Sequence, residues 1–238
     1  MSIIHLSDSV NIKKVLETET EGQFLIEGLY PGYGVTIGNS LRRVLLSSLP
    51  GAAITQIKIN GVNHEFSTIP GMKEDIIQLS LNLKKVRFHF FANEPQVLNL
   101  KVKGEKEITA GDIKSNALVE VINKNLYLAT LTKKQAELDM ELTVEKGLGY
   151  LPAEERRVKH LTIGTIILDA LFSPIVKVGF NVENMRVGDR TDYNRLTLNI
   201  NTDGSITPSE ALHKAIKILQ DHFAKIDQIE VKEIKLNK

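Results

Sequence analysis

The chain has 238 residues, of which 42% are hydrophobic and 25% charged, so it is long enough for a substantial core in one or two domains. Its 30 Lys and Arg residues nearly balance 29 Asp and Glu residues, and a formal net charge of +1 excludes the global positive field of a stand-alone DNA-binding protein. The absence of cysteine excludes disulfides and thiolate chemistry, and the longest apolar stretch, "LTIGTIILDALF", is too short to span a bilayer. We therefore expect a cytoplasmic protein with no membrane partner.

The first elements are predicted from turn residues and apolar spacing. "QFLIEGLYPG" alternates and ends in a Pro-Gly turn, which predicts a strand. A helix of about three turns is predicted from Leu41 to Leu49, with Asn39 and Ser40 as N-caps and Pro50-Gly51 after its end. The next segment, "AAITQIKINGV", has a period of two and ends in Asn60-Gly61. This pattern predicts a β-hairpin whose return strand would be "HEFST".

The middle of the chain is predicted to be rich in strands. A short helix is expected around Glu74 to Leu83, and "GLGYLPAEERRVKHLTIG" reads as a loop. The last helix has the clearest start, with Thr207 as cap, Pro208 at its first position and Glu210 three residues after the cap. Strands mixed irregularly with few helices predict an α+β fold. The predicted strands are "VLNLKVKGEKEITAGDI", "LYLATLT", "AELDMELTVEKG", "IVKVGFNVENMRV" and "NRLTLNIN".

The glycines before the first helix raise the alternative of a nucleotide-dependent enzyme. Gly32, Gly34 and Gly38 could bring backbone amides close to a phosphate. The spacing is one residue too long for G-x-G-x-x-G, however, and no acidic residue follows at the usual distance. The six histidines show no metal-ligand spacing, and no motif of nucleophilic catalysis occurs. The sequence thus predicts no catalytic residue, no cofactor and no metal.

The first helix carries more apolar surface than one core face needs. Its aliphatic residues and Ser48 cover an arc of roughly 200°, whereas a helix with one buried face needs roughly 100°. Arg42 projects within this arc and Arg43 lies at its edge. Arginine rimmed by aliphatic residues is typical of protein interfaces, because the guanidinium pairs with carboxylates while its stem packs. The alternative is a solvated basic face.

The last helix has a heptad-like apolar seam. Its members are spaced 4, 3, 4 and 3 residues apart, which favours packing against a partner helix. The alternative is a helix that lies on its own sheet. The seam consists of Leu212, Ile216, Leu219, Phe223 and Ile226.

Several long blocks resemble the alpha subunit of bacterial and plastid RNA polymerase. They include "GYGVTIGNSLRRVLLSSLPGAAITQIKINGVNHEFSTIPGMKEDIIQLSLNLK", "GLGYLPAEE" and "LDALFSPIVKVGFNVENMRVGDRTDYNRLTLNINTDGSITPSEAL". The resemblance implies an α+β protein with a discontinuous dimerisation subdomain and an inserted, mostly β subdomain. We place the dimerisation subdomain at residues 1–51 and 175–228, the inserted subdomain at 52–174, and a linker or free tail at 229–238. It also implies a homodimer that is not itself catalytic, recruits the beta and then the beta-prime subunit, and reaches DNA only through the assembled polymerase.

The resemblance also implies site residues by position. Arg42, Arg43 and Leu46 would contact the beta subunit, while Lys84 and Leu168 would contact beta-prime. The block "RVGDRTDYNRL" would lie in a region that contacts the large subunits, although Asp189 and Asn194 stand where Gln and Asp are more usual in the family. Family members usually continue into a helical C-terminal domain, whereas this sequence stops at "EVKEIKLNK". The dimer interface would include Leu41, Leu45, Leu212, Ile216, Leu219 and Phe223.

Overall fold

The computed structural model describes residues 9–156 and 164–229. These residues form an α+β fold, as predicted, in which antiparallel strands outnumber the helices. The helices are α1 Tyr33–Ser48, α2 Ile76–Leu83 and α3 Pro208–Ile226. The strands are β1 Asn11–Glu17, β2 Glu21–Leu29, β3 Pro50–Ile59, β4 Phe88–Phe90, β5 Gln96–Lys103, β6 Lys106–Thr109, β7 Ile113–Lys114, β8 Val119–Val121, β9 Tyr127–Leu131, β10 Glu137–Leu148, β11 Tyr150–Leu151, β12 Thr165–Ile167, β13 Ala170–Leu171, β14 Ile175–Val187 and β15 Arg190–Thr202.

A four-stranded sheet in the order β1-β2-β15-β14 joins the two ends of the chain. Strand β2 shows why it forms: Phe24 and Ile26 point to the buried face, while the intervening Leu25 is only half-buried. Helices α1 and α3 contact each other and this sheet. Their common core contains Phe24, Leu45 and Leu212. One face of the sheet thus carries both of the helices that the resemblance assigns to the dimer.

A five-stranded sheet in the order β12-β3-β10-β5-β7 occupies the middle of the chain. Its buried residues form a second and larger core with α2, in which Leu79, Leu83 and Leu142 have no exposed surface. Three two-stranded ribbons, β4 with β8, β6 with β9 and β11 with β13, complete this part of the molecule. Strands were therefore correctly predicted as its main element.

Helix α1 begins at Tyr33, eight residues before the predicted start at Leu41. Gly34 and Gly38 lie inside the helix and face the sheet, where a side chain would meet Val182 at 2.7 Å and Phe180 at 2.7 Å respectively. Close packing on β14 and β15 therefore overrides the low helix propensity of glycine. The prediction that Asn39 and Ser40 cap the helix was wrong.

The predicted hairpin at Asn60-Gly61 is also absent. Gly61 does turn the chain, with a φ of 80°, but residues 64–68 are not a strand, because both neighbours of β3 come from distant parts of the sequence. Helix α2 begins at Ile76 rather than Glu74, and the Asp75 side chain caps it by accepting a hydrogen bond from Gln78 N. Glu74 is instead buried, and its carboxylate accepts hydrogen bonds from the Tyr127 hydroxyl and from Thr130 N.

Helix α3 was predicted correctly. Thr207 caps it by accepting a hydrogen bond from Glu210 N, and Pro208 takes the first helical position. The loop predicted at residues 147–164 is wrong in its first part, because residues 147 and 148 end β10 and Tyr150–Leu151 form β11. Its later part lies partly outside the described residues, and so does most of the predicted tail at 229–238.

Candidate subunit-binding surfaces

The start of α1 is positioned by a buried amide from the neighbouring sheet. Asn194 in β15 is almost fully buried, and its side-chain oxygen accepts hydrogen bonds from Gly32 N at 2.9 Å and from Gly34 N at 3.3 Å. The first backbone N–H groups of a helix have no partner inside the helix, so this oxygen satisfies two of them. From the sequence, Asn194 was noted only as a departure from the family pattern. A polar residue at an inward-facing position of an alternating strand was the available signal.

The outer face of α1 presents two arginines and a leucine. Arg42 and Arg43 are exposed, and neither has an ion-pair partner among the described residues. Leu46 is 39% exposed, whereas its neighbour Leu45 is fully buried. Arg42, Arg43 and Leu46 are thus together on one accessible surface. Leu41 is buried in the core of the chain with Leu45.

The seam of α3 is divided between two environments. Leu212 is buried in the core of the chain, and Ile216 and Leu219 are partly buried against the same core. Phe223 is 64% exposed and Ile226 is 65% exposed. Every residue from Gln220 to Ile229 is exposed. The first half of the helix therefore lies on its own sheet, as the alternative interpretation held, whereas the second half leaves the apolar seam uncovered by the described residues.

Lys84 and Leu168 meet at a groove beside α2. The Lys84 ammonium pairs with the Asp169 carboxylate at 2.7 Å, and Asp169 also accepts a hydrogen bond from Ala153 N at 2.9 Å. Lys84 first, and the Ala153 N–H second, hold the pKa of Asp169 below its usual value. Leu168 is buried and lines the groove, whose volume is about 410 Å³. The hydroxyl of Ser80 also lies at this groove and has no hydrogen-bond partner among the described residues.

Arg190 contacts one carboxylate and two tyrosine rings at the end of the β14–β15 hairpin. Its guanidinium pairs with the Asp192 carboxylate through two contacts of 3.0 and 2.7 Å. The same group lies 5.4 Å from the ring centroid of Tyr30 and 5.5 Å from that of Tyr193. Asp192 thus pairs locally with Arg190, and the block "RVGDRTDYNRL" presents arginine and tyrosine at the surface.

The glycines of α1 do not form a nucleotide loop. Gly34 and Gly38 are buried against β14 and β15, so their backbone is closed to a phosphate. Within residues 9–156 and 164–229, no three His, Asp or Glu side chains come close enough together to hold a metal ion. In the same residues, no helix is both long and apolar enough to cross a membrane.

Comparisons with known proteins identify the family. Residues 57–173 match the family model described as the RNA polymerase Rpb3/RpoA insert domain. A DNA-directed RNA polymerase subunit alpha from Alkaliphilus oremlandii is 48% identical over 214 residues, which are 90% of this chain and 67% of that relative. The subunit of the same name from Symbiobacterium thermophilum is 50% identical over 87% of this chain and 65% of its own length.

A third relative of this name, from Limosilactobacillus reuteri, is 50% identical over 90% of this chain and 68% of its own length. The chain spans about two thirds of the length of these relatives. Identity near 50% extends over most of the chain. The chain therefore belongs to the family of DNA-directed RNA polymerase alpha subunits.

Proposed function

We propose that this chain forms a homodimer on which the beta and then the beta-prime subunit of RNA polymerase assemble, while the catalytic site lies in those other chains. The observation that carries the proposal is the second half of α3. Phe223 and Ile226 are about two-thirds exposed, although they continue the seam that is partly buried at Leu219. Covering such a stripe with the same stripe of a second copy is the usual arrangement of a symmetric dimer.

Within this dimer, the seam residues act in two ways. Phe223, Leu219 and Ile216 have exposed surface with which to contact the second copy. Three of the proposed interface residues are buried in the core of the chain, namely Leu41, Leu45 and Leu212. In our proposal they hold α1 and α3 in place and do not themselves touch the second copy. The dimerisation subdomain would comprise residues 1–51 and 175–228, and the tail at 229–238 would lie outside it.

The beta subunit is proposed to bind the outer face of α1. Two exposed arginines without an ion-pair partner in the described residues, next to the exposed Leu46, offer charge and apolar surface together. A guanidinium can form two parallel hydrogen bonds to one carboxylate, and this favours arginine at interfaces. A carboxylate of the beta subunit that pairs with Arg43 would therefore fix the register of the contact.

The beta-prime subunit is proposed to bind the inserted subdomain, residues 52–174, at the groove beside α2. Lys84 and Leu168 both line this groove, although they are 84 residues apart in the sequence. Ile77 and Leu81, which also line it, are 41% and 51% exposed. The groove therefore offers apolar surface beside an ion pair. The assembled enzyme would work in the cytoplasm and would carry the contacts to DNA.

Truncation of Arg43 tests the separation of these roles. Arg43→Ala should leave dimerisation and thermal stability nearly unchanged but weaken binding of purified beta subunit, because truncating one member of a desolvated charge pair costs about 2 to 5 kcal/mol. Arg43→Lys should restore part of the affinity. Lys134→Ala removes an exposed charge from a distant turn and is the matched control. If dimerisation and beta binding were lost together in Arg43→Ala, the two surfaces would not be separate.

A further inference from the structure

The ribbon of β11 and β13 exposes large apolar side chains on one face. Tyr150 pairs with Leu171 and Leu151 pairs with Ala170, so each pair shares a face of the ribbon. Ala170 is buried and Leu151 packs against the same small core. On the opposite face, Tyr150 is 59% exposed and Leu171 is 43% exposed, and the Tyr150 hydroxyl interacts with the carboxylate of Asp169. The ribbon therefore has a buried side within the chain and an apolar side that the described residues leave open.

Tight packing holds the ribbon in this orientation. Phe172, the residue after β13, is buried against Gly147, where any side chain would approach its ring to 2.6 Å. Gly51 lies still closer to Phe172, since a side chain there would meet the Phe172 carbonyl oxygen at 1.9 Å. Phe172 N also donates a hydrogen bond to Gly149 O at 2.8 Å. Because these contacts fix both strands, Tyr150 and Leu171 cannot turn inward without breaking them.

The ribbon adjoins the last turn of α1. The Ser173 hydroxyl donates a hydrogen bond to Leu46 O at 3.4 Å. A side chain at Gly149 would lie 3.8 Å from Ser47 O. Leu148, just before Gly149, is 59% exposed. Leu148, Tyr150 and Leu171 are therefore exposed on strands that meet the last turn of α1, where Leu46 is exposed one turn after Arg42 and Arg43. We call Leu46, Leu148, Tyr150 and Leu171 the ribbon patch.

We propose that the ribbon patch is part of the docking surface for the same large subunit that Arg42 and Arg43 contact. The inference rests on the proposed function and extends its interface from one helix turn to the β11–β13 ribbon. The matching surface of the partner would be apolar and bordered by carboxylates, because the ribbon patch is apolar and both arginines at its border lack an acidic partner in the described residues. Tyrosine and arginine are, with tryptophan, enriched at the energetic centres of interfaces.

Substitutions of exposed ribbon residues test the inference. Tyr150→Ser and Leu171→Ser in the dimer should each weaken binding of purified beta subunit at least about tenfold, and Leu171→Ser should do so at an unchanged melting temperature. Tyr150→Phe should keep most of the affinity, because it retains the ring. The loss should persist at high salt, whereas the loss caused by Arg43→Ala should shrink, since salt screens charge pairs but not apolar contact. Val97→Ser, at a 54% exposed position of β5, is the matched control.

Each outcome separates this inference from the proposed function. If the Ser variants bind beta subunit like the parent chain while Arg43→Ala does not, the ribbon patch is not part of the interface and the proposed function stands. If neither Arg43→Ala nor the ribbon variants alter binding, both proposals fail. If the Ser variants dissociate the dimer, the patch belongs to the homodimer and the inference is overturned. Should Tyr150→Ser lower the melting temperature, Leu171→Lys at the neighbouring exposed position decides the question by the same binding assay.

Discussion

The two halves of α3 have opposite environments. In the first half, Ala211, Leu212 and Ala215 are buried against the sheet and α1, and the Thr207 side chain caps the first turn. From Gln220 onward every described residue is exposed, including Phe223. One continuous seam thus serves first the core of its own chain and then a surface that the chain leaves open. Apolar periodicity therefore specifies that a seam is buried, but not which molecule buries it.

The exposed second half of α3, from Gln220 onward, is called the open half. Charges placed there should break the dimer without unfolding the chain. In Phe223→Glu/Ile226→Glu, two carboxylates would be buried without partners at the proposed interface, so the association should lose several kcal/mol. Light scattering at micromolar concentration should report a folded monomer. Gln220→Glu/Gln228→Glu adds the same charge at polar positions of the same stretch and should stay dimeric. A Phe223→Glu/Ile226→Glu protein that remains dimeric would show that the open half is not the interface.

The first half of α3, which is buried against the sheet and α1, is called the anchored half. A cavity in the core beneath it should lower the stability of the chain rather than break the dimer. Leu45 has no exposed surface and shares a core with Leu212. Leu45→Ala should therefore reduce the free energy of unfolding by about 2 to 5 kcal/mol, as measured by urea denaturation. Leu46→Ala is the matched control, because that neighbour is 39% exposed, and it should lose clearly less stability than Leu45→Ala. Equal effects of the two variants would contradict the division between a buried and an outer face of α1.

The cap of the anchored half should make a smaller contribution. Thr207→Ala removes the oxygen that accepts the hydrogen bond from Glu210 N and should cost about 0.5 to 2 kcal/mol of stability. Thr207→Ser keeps the oxygen and should retain most of the stability. Thermal unfolding of the three proteins, side by side, measures the difference. If Ser and Ala were equivalent at this position, the cap would not help to stabilise the anchored half.

Acid should weaken the anchored half through Glu17 of β1. Lys14 first, and Ser209 at the start of α3 second, hold the pKa of Glu17 at about 2, below its usual 4.5. A carboxyl group whose pKa is lower in the folded chain than in the unfolded chain stabilises the fold at pH values above its unfolded-state pKa. This contribution is lost as pH falls from about 4.5 to about 2. The melting temperature of Glu17→Gln should therefore lie below that of the parent at pH 6 and approach it at low pH. Glu19→Gln, at an exposed neighbouring position, is the matched control.

Local signals predicted the features that depend on local chemistry. The Thr207–Pro208 start of α3 and its seam follow from capping and periodicity, and both are present. The start of α1 was missed because Gly34 and Gly38 are helical only through their close packing on β14 and β15. No local pattern carries that information. The hairpin at Gly61 failed for the same reason, because the partners of β3 lie far along the sequence.

The candidate surfaces were predicted unevenly. An apolar arc on α1 and the adjacent arginines pointed to a second surface, and Arg42, Arg43 and Leu46 are accessible together. Lys84 and Leu168 were suggested only by the family resemblance, since nothing in the sequence relates two positions that meet through tertiary folding. Tyr150 and Leu171 were not singled out, because a short ribbon has too few residues to show alternation.

The pairing of β2 with β15 has a consequence for the order in which the chain is made. Glu21 and Asn201 are register partners, but the whole five-stranded sheet is synthesised between them. Its strands β3, β5 and β10 are all synthesised before β15, so we expect the middle of the nascent chain to fold while β2 is paired with β1 alone. Helix α3 is translated later still. We therefore expect the nascent chain to complete its own middle sheet before it exposes the seam of the proposed dimer.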